Sequence, residues 1–170
     1  MQDKFSVKNF YEFQYQEGKD KSYFFETKNG YFYQIKFKES SYIFSDLISV
    51  RPNSYEFIID FLNHSNSSKI VFDSLIPNTI AAIYKDFFDR FGRSIVVYII
   101  DSSDSRESAR KRKFDRWVEM FKGDEYFKID AEIFDNEQNR IFSSLIIKID
   151  NPNFNEIIKY FGSLSSKYSK

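Results

Sequence analysis

The chain has no cysteine, one histidine, three prolines and five glycines among its 170 residues, and no long hydrophobic run. Without cysteine there is no thiol nucleophile, no disulfide framework, no CxxC redox pair and no thiolate metal site. With His64 as the only histidine, a Ser-His-Asp triad, an HExxH zinc motif and any two-histidine metal or acid–base scheme are ruled out within one chain. Five glycines leave little material for phosphate loops, and no GxGxxG, Walker A or GxSxG pattern occurs. The longest apolar stretch, Ile95 to Ile100, is far shorter than the roughly 20 residues a membrane helix needs. No apolar signal segment opens the chain, so a soluble cytoplasmic protein with no membrane partner is expected.

Aromatic residues are abundant: 21 Phe, 12 Tyr and 1 Trp, within a chain that is 42% hydrophobic and 29% charged. That content excludes a disordered chain. Its Phe/Tyr/Ile/Lys/Asn bias is that of AT-rich bacterial genomes, so part of the aromatic excess reflects codon supply. Twenty-five basic residues balance 25 acidic ones, which excludes a generally basic nucleic-acid binder but leaves room for a local patch. The length suits one domain over residues 1–170, large enough to bury a core without staples.

Periodicity divides the chain in two. From Ser22 to Lys38, large apolar residues alternate on either side of Asn29-Gly30, predicting a hairpin with a type I′ turn. Phe10 to Gln16 alternates likewise and folds back at Gly18 to Asp20, giving a three-stranded meander. Tyr42 to Val50 reads as a short helix or a loop stopped by Pro52, Tyr55 to Leu62 as a strand, and Asn63 to Ser68 as a polar turn. Lys69 to Phe72 then extends or covers the sheet. Pro77 sits where a first helical turn tolerates a missing N–H, and from Ile76 to Phe91 the apolar spacing becomes three and four, a helix to about Phe91 ended by Gly92. Ile95 to Ile100 is continuously apolar, as expected of a central strand covered on both faces. A second helix carries Ala109, Phe114, Trp117, Val118 and Phe121 and stops at Gly123, with Asp104 and Glu107 spaced as a capping box. A hairpin of Tyr126 to Phe134 and Arg140 to Ile149 turns across Asn136 to Asn139. A helix after Pro152 ends in a Ser/Lys tail that frays from about 163. The fold class is therefore α+β: a mixed, largely antiparallel sheet packed against about three helices. Strand order does not follow from the sequence.

Two stretches carry candidate chemistry. Asp101, Ser102, Asp104, Arg106 and Arg110 follow the apolar strand, where crevices at strand carboxyl ends commonly hold ligands. Arg106 and Arg110, one helical turn apart, can project together as a clamp for an anion. The neighbouring acids would require Mg²⁺ for a phosphate, and that is the one setting in which a metal cofactor enters; otherwise no cofactor, metal site or catalytic residue is expected. The plainer reading makes the same residues architectural, with Asp104 as cap and Asp101 paired to Arg110. The second stretch is basic: Arg106, Arg110, Lys111, Arg112, Lys113 and Arg116 against Glu107 and Asp115, a local charge of +4. Lys111, Arg112, Lys113 and Arg116 are candidate nucleic-acid contacts, or simply a solvated helix face. Trp117 reads as a helix-to-sheet anchor beside Phe114 and Phe121.

Tyr23 to Tyr33, Thr79 to Ile83, Phe87-Phe88 and above all Tyr98 to Arg106 with Arg110, Phe114 and Trp117 give the chain a recognisable pattern. It resembles an uncharacterised bacterial domain-of-unknown-function family, numbered 6169, over nearly its whole length. The resemblance implies a small bacterial protein and supplies no activity, cofactor or catalytic residue. Members often carry Cys before the Asp of the strand-to-helix loop; Ile100 stands there in this chain, so no thiol acts at that spot. The leading functional expectation is a non-catalytic binding or regulatory module working through a protein partner or self-association. A Mg²⁺-dependent nuclease or phosphoryl-transfer enzyme at the Asp101 to Arg110 loop is the alternative from another class, and nucleic-acid binding through 106–116 is a third.

Overall fold

Alternation of large apolar side chains builds the first half of the molecule. The computed structural model describes residues 8–48, 52–63, 73–100, 105–134 and 139–166. Strands β1 (Phe13–Gln16), β2 (Lys21–Glu26), β3 (Phe32–Glu39) and β4 (Ser54–Phe61) form an antiparallel meander, with a 3-10 turn at Ser41–Phe44 between the last two. After it come α1 (Leu75–Arg90), β5 (Ile95–Ile100), α2 (Glu107–Lys122), β6 (Tyr126–Phe134), β7 (Arg140–Lys148) and α3 (Phe154–Ser166). The seven strands make one sheet in the order β1-β2-β3-β4-β5-β7-β6. The expected α+β class holds, and β5 is interior, flanked by β4 and β7.

The period of two assigns each strand residue to a face. Tyr23, Phe25, Ile35, Phe37, Phe57 and Val96 point to the side covered by α1 and α2, where Phe37 stacks on Phe87 with ring centroids 3.9 Å apart. Ile95, Val97, Leu145 and Ile147 point to the other side and meet Ile157 and Phe161 of α3. Both faces of β5 are thus buried, the condition its unbroken apolar run anticipates. Each fully buried ring contributes about 2–3 kcal/mol of burial, so the aromatic surplus is core material.

Three local readings are corrected. The hairpin turn is not a two-residue type I′ turn, because only Gly30 (φ 77°) takes the left-handed conformation while Asn29 does not. Gly30 N–H donates to Thr27 O at 2.9 Å, and Thr27 and Tyr31 close the loop, the pattern of a type I turn followed by a bulged glycine. Tyr31 N–H also donates to Thr27 Oγ1, favouring this longer loop. Pro77 does fall within the first turn of α1, where no N–H is needed: the helix begins at Leu75, whose N–H donates to Asp73 Oδ1 at 2.9 Å. Helix α2 is capped by Arg106 with no side-chain cap bond, so its start lies downstream of the expected box; Asp104 is outside the described residues. Helix α3 runs through Ser166 instead of fraying from 163, held by Leu164 in the second core and by Ser165 Oγ accepting the Glu132 N–H at 3.0 Å. His64, the Asn63 to Ser68 turn beyond Asn63, and Lys69 to Phe72 lie outside the described residues. Among the described residues no helix is long and apolar enough to cross a membrane.

Candidate functional site

The ladder between β4 and β5 is short. These strands pair in parallel through Ser54↔Ile95, Tyr55↔Val96 and Glu56↔Val97, and the pairing stops there although both strands continue. Towards their carboxyl ends β4 and β5 form a fork. Rings occupy its base: Tyr98 lies 4.1 Å from Phe114 and 5.9 Å from Phe57, centroid to centroid.

Above that aromatic base a cavity of about 490 Å³ opens on the α1/α2 side of the sheet. Because β4 and β5 are parallel and each is followed by a helix on the same face, α1 and α2 both start at this end. Their first turns form two walls and direct the positive ends of two helix dipoles towards the opening. Ile76 and Ile80 come from α1, Ile59 and Tyr98 from the diverging strands, and Arg110, Lys113 and Trp117 from α2. Their spacing on α2, three and then four residues, is that of one helical face.

The polar groups of the cavity are few. Lys113 Nζ sits 5.1 Å above the Trp117 ring, and among the described residues no carboxylate pairs with it. Arg110 is half-buried and close enough to Tyr98 to offset in part the upward pressure that burial puts on that phenol. Burial likewise raises the Tyr33 phenol at the rim. Among the described lining residues the one carboxylate is Asp73, engaged on both oxygens: Oδ1 by the Leu75 N–H and Oδ2 by the Tyr11 hydroxyl at 2.5 Å. A carboxylate so tied down fixes the start of α1. The cavity therefore offers recognition: apolar walls with two cationic side chains at the edge.

The sequence-predicted residues divide around this cavity. Arg110 lines it together with Lys113, while Arg106, the cap residue of α2, is exposed and is not among its lining residues. Asp101, Ser102 and Asp104 lie outside the described residues. Glu107 has a buried Oε2 with no hydrogen-bond partner among the described residues.

The basic stretch is broken up in a similar way. Lys111 bonds to Asp115 at 2.8 Å and Asp130 at 3.0 Å, and Lys128 reaches Asp115 at 2.9 Å and also binds Asp130. Burial alone would raise the Asp130 carboxyl, but Lys128, Ser144 and Lys111 together outweigh it and hold it at about 2. This quartet fastens α2 to β6, and the Ser144 hydroxyl, donating to Asp130 Oδ1 at 2.6 Å, ties it to β7. Arg112 and Arg116 remain as an exposed pair one turn apart. Among the described residues no group of three or more acidic or histidine side chains could hold a metal ion.

Asp73, Ile59, Tyr33 and Tyr98 were not singled out by sequence reasoning as site residues. The signal for Tyr98 was present: the third residue from the end of a strand that feeds a helix.

A family model described as a family of unknown function (DUF6169) matches residues 72–163, just over half of the chain. The match spans α1 to most of α3, so it includes the α1, β5 and α2 walls of the cavity and leaves out the β1–β4 meander. No curated protein and no solved structure matches the chain.

Proposed function

The chain belongs to this family of unknown function, DUF6169, and from that premise we propose that it is a binding module whose site is the cleft at the β4/β5 fork. The observation that carries this reading is the fork itself, where a parallel pair separates beneath two helix starts and leaves a cavity of about 490 Å³, within the size range of small-molecule sites. A bacterial cytoplasmic setting, expected from composition, belongs to the same proposal. Action through a protein partner or a second copy has thinner support. The aromatic residues from which it was expected are mostly core, and exposed large apolar residues such as Tyr42, Ile48, Met120 and Ile149 lie on separate elements. The nuclease alternative rests on Asp101 and Asp104, outside the described residues, and of the four nucleic-acid candidates Lys111 is tied to Asp115 and Asp130, which leaves exposed Arg112, Lys113 and Arg116 to that reading.

The sole tryptophan, Trp117, lines the cleft and serves as a built-in reporter. Titration with anilinonaphthalene sulfonate is expected to shift the Trp117 indole N–H resonance saturably, with one site per chain, and to do so much less in Ile76→Trp, which fills the cleft. A response of equal size in the filled variant, or none in the wild type, overturns the proposal.

A further inference from the structure

We propose that the ligand of this cleft is a neutral planar heteroaromatic molecule, its ring system in the fork and a ring nitrogen or carbonyl oxygen accepting a hydrogen bond from the Tyr98 or Tyr33 hydroxyl; this rests on the cleft being the binding site. The walls dictate the shape. Ile59, Ile76 and Ile80 offer no hydrogen bonds, and Tyr98 and Trp117 add aromatic surface on which a flat ring packs.

The unspent hydrogen bonds dictate the polar atom. Tyr33 and Tyr98 both line the cavity, and neither hydroxyl has a hydrogen-bond partner among the described residues. Neither is sealed from solvent, in contrast to the Tyr84 and Tyr126 hydroxyls, which are buried without a partner. Burial keeps both phenols protonated at neutral pH, so each has an O–H to donate. Both helices direct their positive ends to this opening, which favours an acceptor atom there over a donor. Charge, by contrast, selects no sign. The two donors to Asp73, the Leu75 N–H and the Tyr11 hydroxyl, are uncharged, so its negative charge persists beside the positive charges of Arg110 and Lys113. Arg110 has a partner of its own within the chain, and Lys113 is exposed, its ammonium above the Trp117 ring. A ligand of either sign would meet a like charge at this mouth, and a neutral ring meets none.

The test follows three bicyclic probes at the Trp117 indole N–H: isoquinoline, which is neutral and carries a ring-nitrogen acceptor, naphthalene, which has the same outline and no polar atom, and naphthalene-2-carboxylate. Tyr98→Phe and Tyr33→Phe each keep the ring and remove only the hydroxyl, and their melting temperatures report intact folding. Loss of one neutral hydrogen bond is expected to weaken isoquinoline about three- to tenfold in at least one of the two variants and to leave naphthalene within about twofold. The carboxylate is expected to bind no tighter than isoquinoline. An isoquinoline affinity untouched in both variants, an equal loss for naphthalene, or a carboxylate that binds tighter than isoquinoline overturns the inference while leaving the cleft as a site. Failure of all three probes to move Trp117 overturns the cleft reading itself.

Discussion

The Tyr11 hydroxyl donates a 2.5 Å hydrogen bond to Asp73 Oδ2 across 62 residues of sequence. Two more bonds reinforce it: Tyr11 N–H to Thr79 Oγ1 at 2.9 Å and Asn78 Nδ2 to Asn9 O at 2.8 Å. The segment before β1 is thereby strapped across the first turns of α1, and Asp73, at the wall of the cleft, is locked in place. Helix α1 owes its start to residues outside its own sequence.

Removing that hydroxyl is therefore expected to loosen the start of α1. Tyr11→Phe keeps the ring stacked on Phe25 but loses a bond to a charged acceptor, which costs about 1–2 kcal/mol at a partly buried site. Urea denaturation should show a lower midpoint with an unchanged slope. An unchanged midpoint would mean the strap adds no stability.

Acid should act through Asp130. Its folded pKa of about 2 lies below the roughly 3.9 of an unfolded aspartate, so the unfolded chain takes up the proton first. The stability it contributes is complete above about pH 4 and is lost as pH falls towards 2. The carboxylate is partly exposed, so solvent screening keeps the effect modest. Asp130→Asn is expected to flatten the stability profile between pH 4 and 2 in urea melts taken across that range. An acid limb as steep as that of the wild type would place the titration elsewhere.

Tyr84 runs the other way. Its ring stacks on Phe121 at 4.7 Å, while its hydroxyl is fully buried with no hydrogen-bond partner among the described residues. Burial raises its pKa well above the usual value. Tyr84→Phe keeps the ring and removes the unsatisfied group, so a gain of about 1 kcal/mol is expected in thermal or urea unfolding. A loss of similar size would reveal a buried water bonded to the phenol.

Gly30 tests the turn. Its φ of 77° suits glycine, and a Cβ there would meet nothing within 4 Å. Gly30→Ala should therefore cost only the backbone penalty, about 1 kcal/mol, and Gly30→Asn less, because asparagine tolerates the left-handed region. Equal losses for both would point to the Asn63 side chain, which bonds to Gly30 O at 2.8 Å and to Phe32 N–H at 3.1 Å, as the sensitive contact.

How far the sequence foretold this molecule depends on the range of the interaction involved. Local alternation located the meander, and the run Ile95 to Ile100 implied an interior strand because only two-sided burial accommodates six apolar residues in succession. Caps and turns were less legible. Thr27 acts through a side-chain bond that competes with the backbone signal of Asn29-Gly30, whereas Pro77 marked the first turn of α1 correctly. Arg106 is the cap residue of α2, which starts at Glu107, and Arg110 shares its helix face with Lys113 and Trp117, a grouping that the spacing of the two arginines did not point to. The fork was beyond reach, since it depends on β4 and β5 being parallel neighbours, a relation between segments separated by a helix. Trp117 was read as an anchor, and it is that; its second role as a cleft wall needed strand order to become visible.

The β4/β5 pairing is the one parallel ladder among the described strands. Chassis and mouth are consequently separable: the antiparallel flanks set the rigidity of the frame, while the first turns of α1 and α2 wall the cavity. Under the proposed binding role, grafting different residues at Ile76, Arg110 and Lys113 should retune selectivity on an unchanged scaffold, so members of one lineage with the same frame need not share a ligand.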